Sequence, residues 1–95
     1  MAQVKQSAAE EIAKLLDILL DEWGDVPRVA AEIDTWDIID QLHFTEEWPL
    51  VEIRLKRLEK HVQQGHLTPS QITQYEELKQ LIAKNRPILQ RIMEG

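Results

Sequence analysis

Apolar side chains recur along this chain at spacings of three and four residues, which is the period of amphipathic helices. The first stretch follows Ser7 and Glu10, whose spacing fits a capping box, and it predicts a helix from Ser7 to about Trp23, ended by Gly24. At 100° per residue its apolar arc is roughly 200° wide. That arc consists of Ile12, Leu15, Leu16, Ile18, Leu19, Leu20 and Trp23. Since one neighbouring helix cannot cover so wide an arc, we expect this helix either to be central in the fold or to form part of a subunit interface.

The next segment changes its helical phase part-way along. Pro27 suits a first helical turn, where its missing N–H costs nothing. One helical spacing then links Val29, Ala30, Ile33 and Trp36, and a second one links Ile38, Ile39 and Leu42. The shift predicts two short helices, or one helix with a bend.

A further helix is predicted from Thr45 to Gln64. Thr45 can cap it, two acidic residues follow in its first turn, and Pro49 comes early enough to be tolerated. Gly65 suits a left-handed helix end. The apolar seam of this helix has coiled-coil spacing, and its members are Val51, Leu55, Leu58 and Val62.

The clearest helix start is the run from Thr68 to Gln71, with a cap, then Pro69 at the first position and glutamine at the third. Pro87 is expected to kink this last helix or to begin a new turn near Asn85. Because the link between the two helices is short, we expect them to be antiparallel neighbours. The row along the last helix, which only Asn85 interrupts, consists of Tyr75, Leu78, Ile82, Asn85, Leu89 and Ile92.

Together these patterns predict a single all-α domain of residues 1–95, a small helical bundle of four to five helices with a C-terminal antiparallel helical hairpin. The second arm, residues 69–93, is about two turns longer than the first, residues 48–64. The turns of the second arm that extend beyond the first arm, its overhang, are therefore expected to need another partner to cover them. A chain of 95 residues builds only a modest core, so self-association is an expected source of further stability.

Charge is divided unevenly along the chain. Residues 1–47 carry three basic and twelve acidic side chains, a balance of −9, whereas residues 48–95 carry eight basic and five acidic ones, a balance of +3. The net charge of the whole chain is −6. The simplest interpretation is that acidic N-terminal helices (1–47) pack against the basic helical hairpin (48–95) within one chain. The alternative is that one half faces a partner of opposite sign.

Several kinds of active site are excluded by composition. The chain has no cysteine and only three glycines, which excludes thiol chemistry and a glycine-rich phosphate loop. No serine-centred nucleophile motif is found either. We therefore expect no catalysis, no catalytic residue and no cofactor.

Potential metal ligands fall at three-residue intervals, at Asp34, Asp37, Asp40 and His43. The last two have the carboxylate-x-x-His spacing that helical bundles use for metals. A metal site would need matching carboxylates from another helix, and no second such motif is present, so we interpret the row as a solvated acidic face and expect no metal. His61 and His66 flank the hairpin turn and are interpreted as surface or helix-end groups.

A group of basic residues lies within seven positions, at Arg54, Lys56, Arg57 and Lys60. No aromatic residue lies among them and the chain is acidic overall, so nucleic acid is not an expected partner. Ile53 lies beside these charges, nearly opposite the apolar seam. Either the N-terminal helices cover Ile53, or it belongs to a binding patch, or it is a single exposed apolar residue of the ordinary kind.

The N-terminus has no signal-peptide or transit pattern, and no stretch is apolar enough to span a bilayer, so we expect a cytoplasmic protein with no membrane partner. The expected function is a small protein-interaction or regulatory module that self-associates through helix packing, most simply as a homodimer. The alternative is an inhibitor, antitoxin or adaptor whose acidic N-terminal half neutralises a basic protein partner. The candidate interface residues are Ile18, Leu20, Trp23, Trp36, Trp48, Ile53, Arg54, Arg57, Lys60, Ile88 and Ile92. For the three tryptophans, burial as core anchors is the other interpretation.

Overall fold

The computed structural model describes residues 2–94, with side chains from residue 8 onward, and all of its regular structure is helical. The helices are α1 (Ala2–Gly24), α2 (Val26–Glu32), α3 (Ile38–Gln63) and α4 (Pro69–Glu94), with a 3₁₀ turn at Ile33–Thr35. The all-α prediction is confirmed. The expected number of four to five helices is not matched, because only three long helices form the bundle and α2 has just seven residues.

Two of the predicted helix starts are wrong. Ser7 lies inside α1, which begins at Ala2, because no proline or glycine interrupts the residues before Ser7. Thr45 lies inside α3, which begins at Ile38 and continues through Pro49. A proline inside a helix costs roughly 3 kcal/mol. Trp48, next to the proline, is buried in the core, and its ring centroid lies 5.5 Å from that of Phe44.

The first helix is central in the fold. It packs against both α3 and α4, whose own backbones seldom come within 8 Å of each other. Most of its wide apolar arc is therefore covered within one chain by these two neighbours, and Ile18 remains exposed. The residues of α1 that this packing buries are Ile12, Leu15, Leu16, Leu19 and Trp23.

The hairpin of α3 and α4 has the predicted turn but not the predicted packing. Gly65 has φ 72°, the left-handed conformation that suits glycine. The Thr68 hydroxyl accepts a hydrogen bond from the Gln71 N–H at 3.2 Å, and the Gln71 side chain accepts one from the Thr68 N–H at 3.0 Å, which confirms the capping box. The backbones of the two arms nevertheless seldom come within 8 Å of each other, and each arm packs mainly against α1.

The predicted overhang of the last helix is absent. Both α3 and α4 have 26 residues, since α3 begins seven residues earlier than predicted. The short α2 packs against α4 and covers part of it. α4 also runs through Pro87 as one helix, so no new helix begins near Asn85.

The one polar residue in the core row connects α4 to α1. Asn85 is 1% exposed, and its Nδ2 donates to the backbone carbonyl of Trp23 at 2.9 Å. In a continuous helix that carbonyl would accept from the N–H of the residue four positions later. That residue is Pro27, which has no N–H. Asn85 therefore satisfies a buried carbonyl at the end of α1 that the backbone leaves without a donor.

Candidate interaction surface

Helix α3 has two apolar faces. The inward face contains the predicted seam, of which Val51, Leu55 and Leu58 are buried and Val62 is partly buried against the core. The outward face is also apolar, although no described residue of the chain covers it. Its exposed large side chains, which we call the outer stripe, are Ile38, Ile39, Leu42, Leu50 and Ile53.

The structure decides between the three interpretations of Ile53. Its side chain is 60% exposed, so the interpretation that the N-terminal helices cover it is wrong. It is not a single exposed residue either, because Leu50 lies three positions earlier on the same helix and is 51% exposed. Ile53 therefore belongs to an extended apolar surface.

The basic residues predicted beside Ile53 have different environments. Lys56, Arg57 and Lys60 are exposed, whereas Arg54 is half-buried. Arg57 donates from Nε to Glu11 on α1. That hydrogen bond, with the attraction of the guanidinium, holds the pKa of Glu11 below its ordinary value.

A groove of about 460 Å³ continues the outer stripe at one end of the bundle. It lies between the 3₁₀ turn, the first turns of α3 and the last turns of α4, and Ile38 and Leu42 belong both to its wall and to the outer stripe. Gln41 fixes the turn on α3 by donating to the carbonyls of Ile33 and Trp36, at 2.8 and 3.0 Å. The other apolar side chains in its wall include Ile33, Ile88, Ile92 and Met93.

The remaining candidate interface residues are divided between the core and the surface. Trp23 and Trp48 are buried and their rings form an edge-on pair at 5.0 Å, an arrangement that fits core anchors. Trp36 is half-buried and packs edge-on against Phe44.

Four candidates lie on other helices. On α1, Ile18 is 39% exposed and Leu20 is partly buried against the core. On α4, Ile88 and Ile92 are partly buried in the groove wall. None of the four belongs to the outer stripe.

The sequence reasoning missed a polar connection between α3 and α4. Arg86 donates two hydrogen bonds to the carboxylate of Glu52, at 3.0 and 3.2 Å, and its guanidinium lies 4.9 Å from the ring centroid of Trp23. Trp48 Nε1 also donates weakly to Glu52, at 3.4 Å. No local spacing relates Glu52 to Arg86, 34 positions away, so only the folded chain reveals this contact.

Within the described residues, the potential metal ligands do not come together in one site. Asp34, Asp37, Asp40 and His43 are exposed, and across the described part of the chain no three potential metal ligands gather. At the hairpin turn the Nδ1 atoms of His61 and His66 are 3.2 Å apart.

The charge boundary at residue 47 lies inside α3, so the acidic and basic halves are not separate structural units. Among the described side chains the halves meet at Glu11, which contacts Arg57 and lies 3.6 Å from His61 Nε2. The uneven charge therefore persists on the surface of one continuous bundle.

No helix within residues 2–94 has the length and apolar character needed to cross a bilayer. No protein-family model matches the chain, and neither a curated protein nor a solved structure matches it.

Proposed function

We propose that this chain is a small cytoplasmic protein-interaction or regulatory module that acts without catalysis and self-associates through helix packing as a homodimer. The observation that carries the proposal is the outer stripe of α3. It places five large apolar side chains on the solvent side of a helix whose opposite face is already buried in the core.

The outer stripe differs from ordinary exposed apolar residues in how many large apolar side chains share one face of a helix. Single exposed apolar side chains are common, whereas several on one face favour a surface that contacts another molecule. The groove beside Ile38 and Leu42 extends the same apolar surface toward the end of α4. Burial of this surface against another apolar surface would contribute about 25 cal/mol for each Å² removed from water.

The support for self-association differs from that expected from the sequence. Most of the wide arc of α1 is covered within the chain, with Ile18 left exposed, and the overhang of α4 does not exist, so neither feature requires a partner. The outer stripe now supports self-association instead, since a second copy offers the same stripe and isologous pairing is the commonest symmetric arrangement.

The proposal is tested by measuring molar mass over a range of concentrations with sedimentation equilibrium. We expect the wild-type chain to approach twice its 11.1 kDa mass at micromolar concentration. Ile53→Glu should remain helical and shift this equilibrium toward the monomer, because it buries a charge in the apolar contact. Ala83→Glu, on an exposed position of α4, is the matched control and should leave it unchanged. A wild-type chain that stays at the monomer mass up to hundreds of micromolar would contradict the proposal.

A second candidate function is an inhibitor, antitoxin or adaptor that binds a basic protein through the acidic half. Its support is that nine of the twelve acidic side chains of residues 1–47 have no ion pair among the described side chains; only Glu11, Asp25 and Glu32 do. Replacing Asp34, Asp37 and Asp40 together by asparagine separates the two functions. Loss of affinity for a basic protein with an unchanged monomer–dimer equilibrium would favour the second candidate.

A further inference from the structure

We infer that two copies of this chain pair through antiparallel α3 helices, with the two-fold axis between Leu50 and Ile53. This inference rests on the proposed self-association and specifies its geometry. It depends on the order of side chains along the exposed face of α3, which is acidic, apolar, apolar and basic.

The four side chains that carry the inference are Glu46, Leu50, Ile53 and Arg57, at intervals of four, three and four residues. At 100° per residue they lie within about 60° of one another around the helix. All four are exposed in the described structure, with the apolar side chains of Leu50 and Ile53 51% and 60% exposed. They therefore form one straight row on the solvent side of α3.

This row is complementary to itself when reversed. In an antiparallel pair centred between Leu50 and Ile53, each Leu50 lies opposite the Ile53 of the second copy, and each Glu46 lies opposite the second copy's Arg57. The pair thus encloses an apolar centre formed by Leu50 and Ile53 with an ion pair at each end, and it leaves Ile38, Ile39 and Leu42 of the outer stripe outside that centre. A parallel arrangement would instead place Glu46 against Glu46 and Arg57 against Arg57, which like-charge repulsion disfavours.

Arg57 has hydrogen-bond donors to spare for a second chain. Arg57 uses Nε to contact Glu11 of its own chain. Its two terminal nitrogens have no partner among the described residues, and its side chain is 66% exposed. The guanidinium can therefore bind a second carboxylate without losing the first.

Charge reversal tests the pairing, with sedimentation equilibrium as the readout and circular dichroism as the check on folding. Because the two-fold axis duplicates each contact, Glu46→Lys and Arg57→Glu should each weaken the dimer by roughly tenfold. The double variant Glu46→Lys/Arg57→Glu should return to near wild-type affinity, since it restores opposite charges across the interface. Glu11→Gln, which removes the intrachain partner of Arg57 and leaves α3 intact, is the control and should not weaken the dimer.

Cysteine cross-linking tests the direction independently, because the chain has no cysteine of its own. A cysteine at Ile53 lies beside its counterpart near the axis and should form an intersubunit disulfide. Cysteines at Ile39 would be about 38 Å apart along the two antiparallel helices. That separation is far beyond disulfide reach, which ends near 7 Å between Cα atoms, so Ile39→Cys should not cross-link.

The outcomes separate this geometry from the proposed function. A wild-type dimer in which Ile39→Cys cross-links as well as Ile53→Cys, or in which the double charge reversal restores nothing, would overturn the antiparallel pairing and leave self-association standing. A wild-type chain that is monomeric at every concentration would overturn both.

Discussion

Asn85 should contribute more to stability than its size suggests, because its side chain supplies the donor that Pro27 cannot. The amide donates at 2.9 Å to the carbonyl of Trp23, in a site where Asn85 itself is 1% exposed. Asn85→Leu keeps the number and branching of the side-chain heavy atoms and removes the amide that donates. The Trp23 carbonyl then stays buried without a partner.

The magnitude follows from two opposing effects. A buried polar group left unpaired costs about 1–3 kcal/mol. Asn85→Leu also removes Asn85 Oδ1, which is buried without a hydrogen-bond partner among the described residues, so part of that cost is offset. We expect a net loss of about 1–2 kcal/mol in the free energy of unfolding. Asn85→Asp should cost more at neutral pH, because it places a carboxylate against the same carbonyl oxygen.

The assay is urea unfolding followed by circular dichroism, at one fixed protein concentration because dimerisation adds to apparent stability. Gln90→Leu introduces the same side chain at an exposed position of α4 and is the matched control, expected to change stability by less than about 0.5 kcal/mol. If Asn85→Leu were as stable as the wild-type chain, the hydrogen bond to Trp23 would not matter and the reasoning would be refuted.

Two further predictions concern the core and the acid response. Leu58 is fully buried in the α3 seam, so Leu58→Ala should lower the free energy of unfolding by about 2–5 kcal/mol; a smaller loss in urea unfolding would place it outside the core. The pKa of Glu11 is lowered in the folded chain from 4.5, so the stability that it contributes is complete above that pH and is lost as the pH falls through the folded value. Thermal unfolding between pH 6 and 3 should therefore show a smaller acid destabilisation for Glu11→Gln than for wild type. Equal acid profiles would contradict this.

Local sequence patterns were sufficient to predict the structure of the hairpin turn. The capping box from Thr68 to Gln71 and the left-handed Gly65 were predictable because their hydrogen bonds and backbone angles involve residues close together in the chain. The seam of α3 was predictable for a similar reason, since the period of a helix decides which of its side chains share a face.

The arrangement of the helices depended on contacts between distant residues. The wide arc of α1 indicated that one neighbour could not cover it, but not that α3 and α4 would be the two helices that pack against it. The pairing of Glu52 with Arg86 and of Asn85 with Trp23 joins residues 34 and 62 positions apart. No spacing rule relates such residues, because the loops between them leave their separation undetermined until the core forms.

The candidate interface depends partly on features that the sequence determines and partly on features that only the tertiary structure decides. The amino-acid sequence alone determined an all-α chain, most helix ends, and Ile53 as an apolar residue beside basic ones. It placed Ile38, Ile39 and Leu42 in a separate helix, because Thr45 and the acidic residues after it indicated a new helix start. In the folded chain α3 runs through Pro49 as one helix over residues 38–63. That continuity brings Ile38, Ile39, Leu42, Leu50 and Ile53 onto a single outward face, because side chains share a face only when one uninterrupted helix sets their rotation.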